Sequence, residues 1–488
     1  LSADTLGNNS VAIGDAALRA QNFTTGTNTF NVAVGASAGI LVTTGIDNTL
    51  IGGLAGDALT DADHNVALGT RALGADTLGS KSVAIGRATL GTQNFTTATN
   101  TFNVAVGYQA GLSVTTGINN TFIGAASGDA LTDADFNVAI GTHSLTLDTL
   151  GSRSTALGYF ALGNQNFTSA TDTYNTAVGY QAGIAITTGA GNTLIGGLAG
   201  DAMTTVSNIT AVGFNALTEN TTGSNGVAVG KDALKLNTTG SNNCAVGLTA
   251  LATCTTGDEN TAVGTGALAS LTTSDSNTGF GRAAGSAVTT GHSNILVGAF
   301  AGDGLTTGSQ CIFIGKGATE SAVGTSNQIV LGTSVTCVGD SNFTFGGGTS
   351  DSNIAFGATS ISAPSDQRYK EEIADATAGL AFIKDLRPVT FKWKKEKNVP
   401  SDHPAYKEGS DTRVMNDYTN HGFIAQEVKT AIDAHSEIKD GFDMWSEQGL
   451  DEAGNSTGGR QRLGPTSLVP MLVKAIQELE ARIATLEG

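Results

Sequence analysis

The chain has 488 residues, of which 66 are Gly and 6 are Pro; only 14% are charged, and the net charge is −18. That length allows several domains. The acidic balance excludes a nucleic-acid backbone as partner, and no apolar run is long enough to insert into a membrane. The composition also splits in two: all six prolines and both tryptophans (Trp393 and Trp445) lie at or beyond position 364, as do 16 of the 25 Lys and Arg. A Gly-rich, proline-free part therefore precedes a part of ordinary globular composition. Four cysteines, at 244, 254, 311 and 337, contain no CxxC pair. They read as free, half-buried thiols rather than metal ligands, and no metal or cofactor is expected.

From the start of the chain a block of the form Asn-(Val/Thr)-(Ala/Leu/Phe)-(Val/Ile/Leu)-Gly recurs, its last glycine falling at 14, 35, 52, 69, 86, 107 and onward to 332. The spacing runs 21, 17, 17, 17, so a super-repeat of 72 residues links Gly14, Gly86 and Gly158; after Gly179 it stays at 17. Seventeen residues is too short for a helical repeat and suits one coil of a parallel β-solenoid with two or three short strands. Within a block, the pairs Val11/Ile13 and Val104/Val106 share one side of a strand. They are expected to stack inward, with the small Ala between them facing out. Glycine supplies a corner that excludes a Cβ. Asn31, Asn48, Asn65, Asn103, Asn120 and Asn137 are placed to close turns and stack as a ladder. Proline is absent because neighbouring coils need each N–H.

NNSVAIGDAAL at 8–18 and the blocks that follow resemble the head domains of trimeric autotransporter adhesins, which implies a trimeric parallel β-roll over 1–332. A coil this small buries little by itself, and packing three copies together compensates. Two related turns, GDALTDADHN and GDALTDADFN, gather Asp57, Asp61 and Asp63, and Asp129, Asp133 and Asp135. Oxygen-rich turns can hold calcium, yet GDAMTTVSN at 200–208 keeps only Asp201. Solvated turn acids are the favoured reading.

Residues 333–364 echo the block at irregular spacing and read as a neck. The segment 365–488 reads as a small α+β domain. It has a helix over 377–386, a strand at 388–394, a second helix within 420–435, a polar loop or hairpin at 440–464, and a last helix over 468–487. Val469, Leu472, Ile476, Leu479, Ile483 and Leu486 form a heptad seam on that helix, which predicts a coiled coil with copies of itself.

Ser365-Asp366-Gln367-Arg368-Tyr369-Lys370 follows directly on Pro364. It resembles the SDxRxK motif of the intramolecular chaperone auto-processing domain of phage tailspikes, tail fibres and endosialidases. LRPVTFKWK at 386–394, HGFIAQEV at 421–428 and RLGPTSLVPMLVKAIQEL at 462–479 extend the resemblance in the family's order. The resemblance implies that Ser365 is the nucleophile and Lys370 its general base, with the cut between Pro364 and Ser365 and Asp366 and Arg368 holding the geometry. A serine hydroxyl becomes an effective nucleophile once a neutral amine takes its proton. Lys370 must therefore be desolvated, and burial in a trimer interface is one source of that. The five-residue spacing would put the two side chains on different faces of a helix, so a turn or extended segment, or pairing across subunits, is expected.

Together the resemblances imply a single-turnover autoproteolytic serine endopeptidase built into a homotrimeric fibre of a virion. Its implied partners are other tail proteins and a host cell-surface receptor, a glycan or an outer-membrane component. A bacterial surface adhesin or extracellular filament with the same parts is the alternative. A glycan-degrading tailspike is a weaker one, since the repeat has no Trp and its acids follow the repeat period.

Overall fold

The computed structural model describes all residues except 1–2, 349, 359–360, 363–364, 366, 368–369, 402–404, 439–441, 443, 448–460 and 488. The chain divides into two compact units, Leu1–Pro364 and Ser365–Gly488.

The first unit is mainly β, a solenoid in which each block supplies one three-residue strand. Each strand pairs in parallel and in register with the strand of the next block: Val32 with Thr49, Ala33 with Leu50 and Val34 with Ile51, and likewise along the chain. Backbone bonds run from coil to coil, as in Val32 N–H to the Asn48 carbonyl and Gly52 N–H to the Val34 carbonyl, both 2.8 Å. A 17-residue coil carries one strand rather than the two or three expected, and turns fill the rest. In the three 21-residue coils the insertion adds a second strand of two residues, at Gly7–Asn8 with Thr27–Asn28, Gly79–Ser80 with Thr99–Asn100, and Gly151–Ser152 with Thr171–Asp172. The sheet continues past Gly332: Gln328–Thr333 pairs in parallel with Asn342–Gly347, which then pairs antiparallel with Ser350–Ala355.

The facing of the strands is the reverse of the sequence expectation. The middle residue points into the coil, and Ala33, Ala67, Ala105 and Ala139 are fully buried. Its apolar neighbours point outward, and Leu68, Ile123, Leu157, Ile195 and Leu331 are exposed. The reason is volume. The coil is narrow and must also hold a residue from the turn four positions after each block glycine. Where that residue is Leu, as at Leu73 and Leu90, the strand offers Ala67 and Ala84. Where the strand offers Phe122, the turns offer Gly111 and Gly128, whose added Cβ atoms would stand 2.8 and 2.5 Å from the Phe122 ring. Large and small thus alternate to fill the coil at interior density.

The block glycine has a separate cause. Gly35 sits at φ +141°, and a Cβ there would lie 2.5 Å from the carbonyl oxygen of Gly52 in the next coil. Each glycine is the space into which its neighbour's backbone packs. Beside it runs the asparagine ladder. The Asn31 side-chain oxygen accepts the Asn48 N–H at 2.9 Å, and that of Asn48 accepts the Asn65 N–H at 3.0 Å. The Asn48 amide donates to the Ala62 carbonyl at 2.8 Å. These side chains are fully buried and serve backbone groups that the turns leave unpaired.

The second unit has an apolar core of its own. Helix α1 (Leu380–Asp385) contributes the fully buried Phe382, α2 (Ala425–Ala434) contributes Val428 and Ile432, and α3 (Leu468–Glu487) contributes Leu468. Met444 and Ile438 complete it. Val389–Phe391 pairs antiparallel with Asn420–Gly422, and Trp445–Glu447 with Gln461–Leu463. Glu478 of α3 accepts the Leu380 N–H at 2.9 Å and so caps α1. An anion at this end answers both the free N–H groups and the helix dipole. Among the described residues no helix is long and apolar enough to cross a membrane.

Candidate functional site

Ser365 opens the second unit, and a short turn carries the chain on to Lys370, whose N–H bonds the Gln367 carbonyl at 3.1 Å. This turn folds the five-residue separation back on itself, and Lys370 Nζ comes to 2.6 Å from Ser365 Oγ. At that distance an ammonium donates to the hydroxyl oxygen, and a neutral amine accepts the hydroxyl proton. Both side chains are exposed in the single chain. The desolvation that a neutral lysine needs is therefore not supplied by the described surroundings. Pro364, Asp366 and Arg368 lie outside the described residues.

Elsewhere the unit is tied together by ion pairs. Arg387 donates to both carboxylate oxygens of Glu427 through Nε, at 2.9 Å, and Nη2. Lys395 and Lys397 converge on Asp411 at 2.5 and 2.7 Å, which hold its carboxyl down at about 2. A group the sequence did not single out is His435, at the end of α2. Its Nε2 lies 2.8 Å from Asp385 at the end of α1, its Nδ1 lies 2.9 Å from Glu437, and its ring stands edge-on to Phe382. Hydrogen bonds to Asp385 first, then to Glu437, push the imidazole above its ordinary value. No spacing in the sequence brings Asp385 to His435; only the packing of α1 on α2 does.

The acidic turns of the shaft have other work. Asp63 accepts the Ile46 N–H at 2.8 Å and Asp135 the Ile118 N–H at 2.7 Å. Asp61 and Asp133 accept the hydroxyls of Thr44 and Thr116, both at 2.5 Å, and Asp129 that of Thr146 at 2.5 Å. Asp57 is part-buried, and burial pushes its carboxyl up. These carboxylates close one coil onto the next, and no set of three metal-ligating side chains gathers among the described residues. The cysteines are free thiols; burial pushes those of Cys254 and Cys311 up to about 11, away from reactivity.

The 21-residue coils hold a polar centre that the sequence reading also missed. Fully buried Asp76 accepts Gln93 Nε2 at 2.6 Å, the Phe95 N–H at 3.0 Å and the Gly79 N–H at 3.1 Å. Asp148 repeats the arrangement with Gln165, Phe167 and Gly151. The signal was available, since Asp76 and Ser82 in one coil and Gln93 in the longer coil that follows recur as Asp148, Ser154 and Gln165, with serine standing in the place of the ladder asparagine.

No curated protein and no solved structure matches the chain. Residues 365–436, beginning at Ser365, match a peptidase family model described as chaperone of endosialidase, a family that implies autoproteolytic activity in general. The chain carries an endosialidase-chaperone domain at its C-terminal end behind a β-solenoid, a combination that fits a tail-fibre-like protein.

Proposed function

We propose that this chain is a trimeric phage tail fibre for attachment to a host surface, and that its C-terminal domain assembles the trimer and then cuts itself off between Pro364 and Ser365. The observation that carries the reading is the 2.6 Å approach of Lys370 Nζ to Ser365 Oγ at the first residue of the family match. The neutral Lys370 amine takes the hydroxyl proton as Ser365 Oγ attacks the Pro364 carbonyl carbon, of its own chain or of a neighbour. The carbon–nitrogen bond to Ser365 breaks, the proton passes to the departing amine, and an ester remains on Oγ. Water hydrolyses that ester, leaving a carboxylate on residue 364 and restoring the hydroxyl.

Two apolar surfaces support self-association. On α3, Ile476, Ile483 and Leu486 are 64%, 52% and 86% exposed, along a seam that continues through Val469, Leu472 and Leu479. Heptads of this kind bury their seam against copies of themselves. On the shaft, the outward strand residues Leu68, Ile123, Leu157, Ile195 and Leu331 form an exposed apolar row that packing of parallel shafts would cover. Assembly would also have to supply the dry surroundings that Lys370 lacks in the single chain. A Lys370→Met variant is expected to slow cleavage at least ~100-fold on a denaturing gel, and Ile476→Asp to leave monomers in sedimentation velocity. Unchanged cleavage in the first variant removes Lys370 from the chemistry. Unchanged trimers in the second remove the seam from assembly.

A further inference from the structure

Five residues before each block glycine the chain turns a corner in the left-handed region, in every coil from Asn9 to Asn327. Asn, Gly and other small polar residues accept that conformation; bulky side chains resist it. From Asn208 to Asn327 the corner obeys this preference, with Asn, Ser, Gln or Glu and no ring. The earlier coils do not. Phe30, Phe102, Phe136 and Tyr174 hold the corner at φ 46°, 50°, 59° and 50°, and they are 52%, 51%, 45% and 62% exposed. The rings fill no core and stay about half exposed, so they cost backbone strain for little burial. The later coils show that the fold does not require them. Strain of this kind, at residues with no structural task, points to a binding role.

We infer that the corner row Phe102–Asn119–Phe136–Arg153–Tyr174 is a binding track for an extended carbohydrate chain lying along the shaft. Successive coils stand about 4.8 Å apart, so the three rings recur about every 10 Å, close to the length of a disaccharide. Rings supply flat platforms for the apolar faces of sugars, and the residues between them supply hydrogen-bonding groups, as in the usual mix of aromatic and polar lining at ligand sites. Arg153 is fixed in place for this: its guanidinium stands 4.8 Å over the Phe136 ring and pairs with Asp172 at 2.9 Å, and Asp172 accepts the Tyr174 hydroxyl at 3.3 Å. Lys81 lies one coil before the track, 5.4 Å over the Phe102 ring. A second copy of the chain is the poorer occupant. Parallel shafts would meet along their whole length, as the outward strand row does, whereas the rings in alternate coils, from Phe30 and His64 through Phe102, Phe136 and Tyr174, end there and none follows from Gly191 to Asn327.

This inference rests on the attachment reading and assigns it a site. The test uses the full-length protein and a panel of immobilised neutral and acidic oligosaccharides from disaccharides upward. Wild type is compared with a variant combining Phe102→Asn, Phe136→Asn and Tyr174→Asn, the residue that later coils carry at the same corner. These changes relieve strain, so the variant should fold and melt no lower than wild type. The expected result is retention of longer oligosaccharides by wild type and at least tenfold weaker retention by the variant. Equal retention by both would overturn the track and leave attachment through another surface standing. Cell attachment by wild type with no sugar retained would overturn the carbohydrate, and loss of trimers in the variant would show that the row is a subunit contact instead.

Discussion

The shaft and the C-terminal unit solve the problem of stability in opposite ways. The C-terminal unit closes a conventional core, in which Phe382, Val428, Ile432 and Leu468 meet from three helices. A shaft coil closes nothing by itself. Its strand N–H groups, its asparagine oxygens and its glycine hollows are all completed by the next coil. Repeats of this kind gain stability through neighbour contacts, so a first coil has little to fold onto. Under the proposed function, a separately cored unit with an exposed apolar helix would answer that need by folding first and bringing copies together before the coils stack. Removing it afterwards would leave a shaft whose unfolding is hard to reverse, because it has no nucleus to refold from.

This contrast can be broken from either side. The largest effect is expected in the shaft from Gly124→Ala, because the added Cβ would stand 2.7 Å from the Gly141 backbone at φ +133°. Strain and clash together should cost about 5 kcal/mol, read as loss of the β signal in circular dichroism on heating. In the C-terminal unit, Phe382→Ala should cost about 3–5 kcal/mol. Both tryptophans, Trp393 and Trp445, lie in that unit, so their fluorescence should report this loss while the shaft signal stays put.

Smaller changes sharpen the comparison. Asn120→Ala deprives the Asn137 N–H of a 2.9 Å acceptor and the Ala134 carbonyl of a 2.8 Å donor. The cost should be about 2–4 kcal/mol, confined to the shaft signal. The smallest effect concerns His435, whose folded pKa is raised above 6.5 by Asp385 and Glu437. A raised histidine pKa gives stability that is fully present below 6.5 and lost as pH rises through the raised value. The tryptophan-detected melting temperature should therefore fall across that interval, and His435→Gln should flatten the dependence.

How much of this was legible in the sequence follows from what each feature depends on. The coil period, the asparagine ladder and the glycine corner were readable, because each repeats at a fixed spacing and has one physical cause. The facing of the strands was not. Val11 and Ile13 look like core by residue type, and only the width of the coil, already filled by residues such as Leu18 and Leu73, forces Ala inward. The 72-residue super-repeat was visible as spacing, but not as the buried Asp76 and Asp148 networks that make a 21-residue coil possible. In the C-terminal unit the three helices were readable from apolar periodicity. The Asp385–His435 bridge depends on packing between helices and left no local pattern. The Ser365 and Lys370 pair was named through resemblance, and the turn at Gln367 is what brings the two side chains within reach.

The central claim is that the chain cuts itself at Ser365. The most direct measurement is the intact mass, under denaturing conditions, of freshly expressed protein beside Ser365→Ala. The account predicts that wild type separates into residues 1–364 and 365–488 while the variant stays whole. Wild type that stays whole yet assembles into trimers would contradict it, and the C-terminal unit would then be a permanent cap rather than a peptidase.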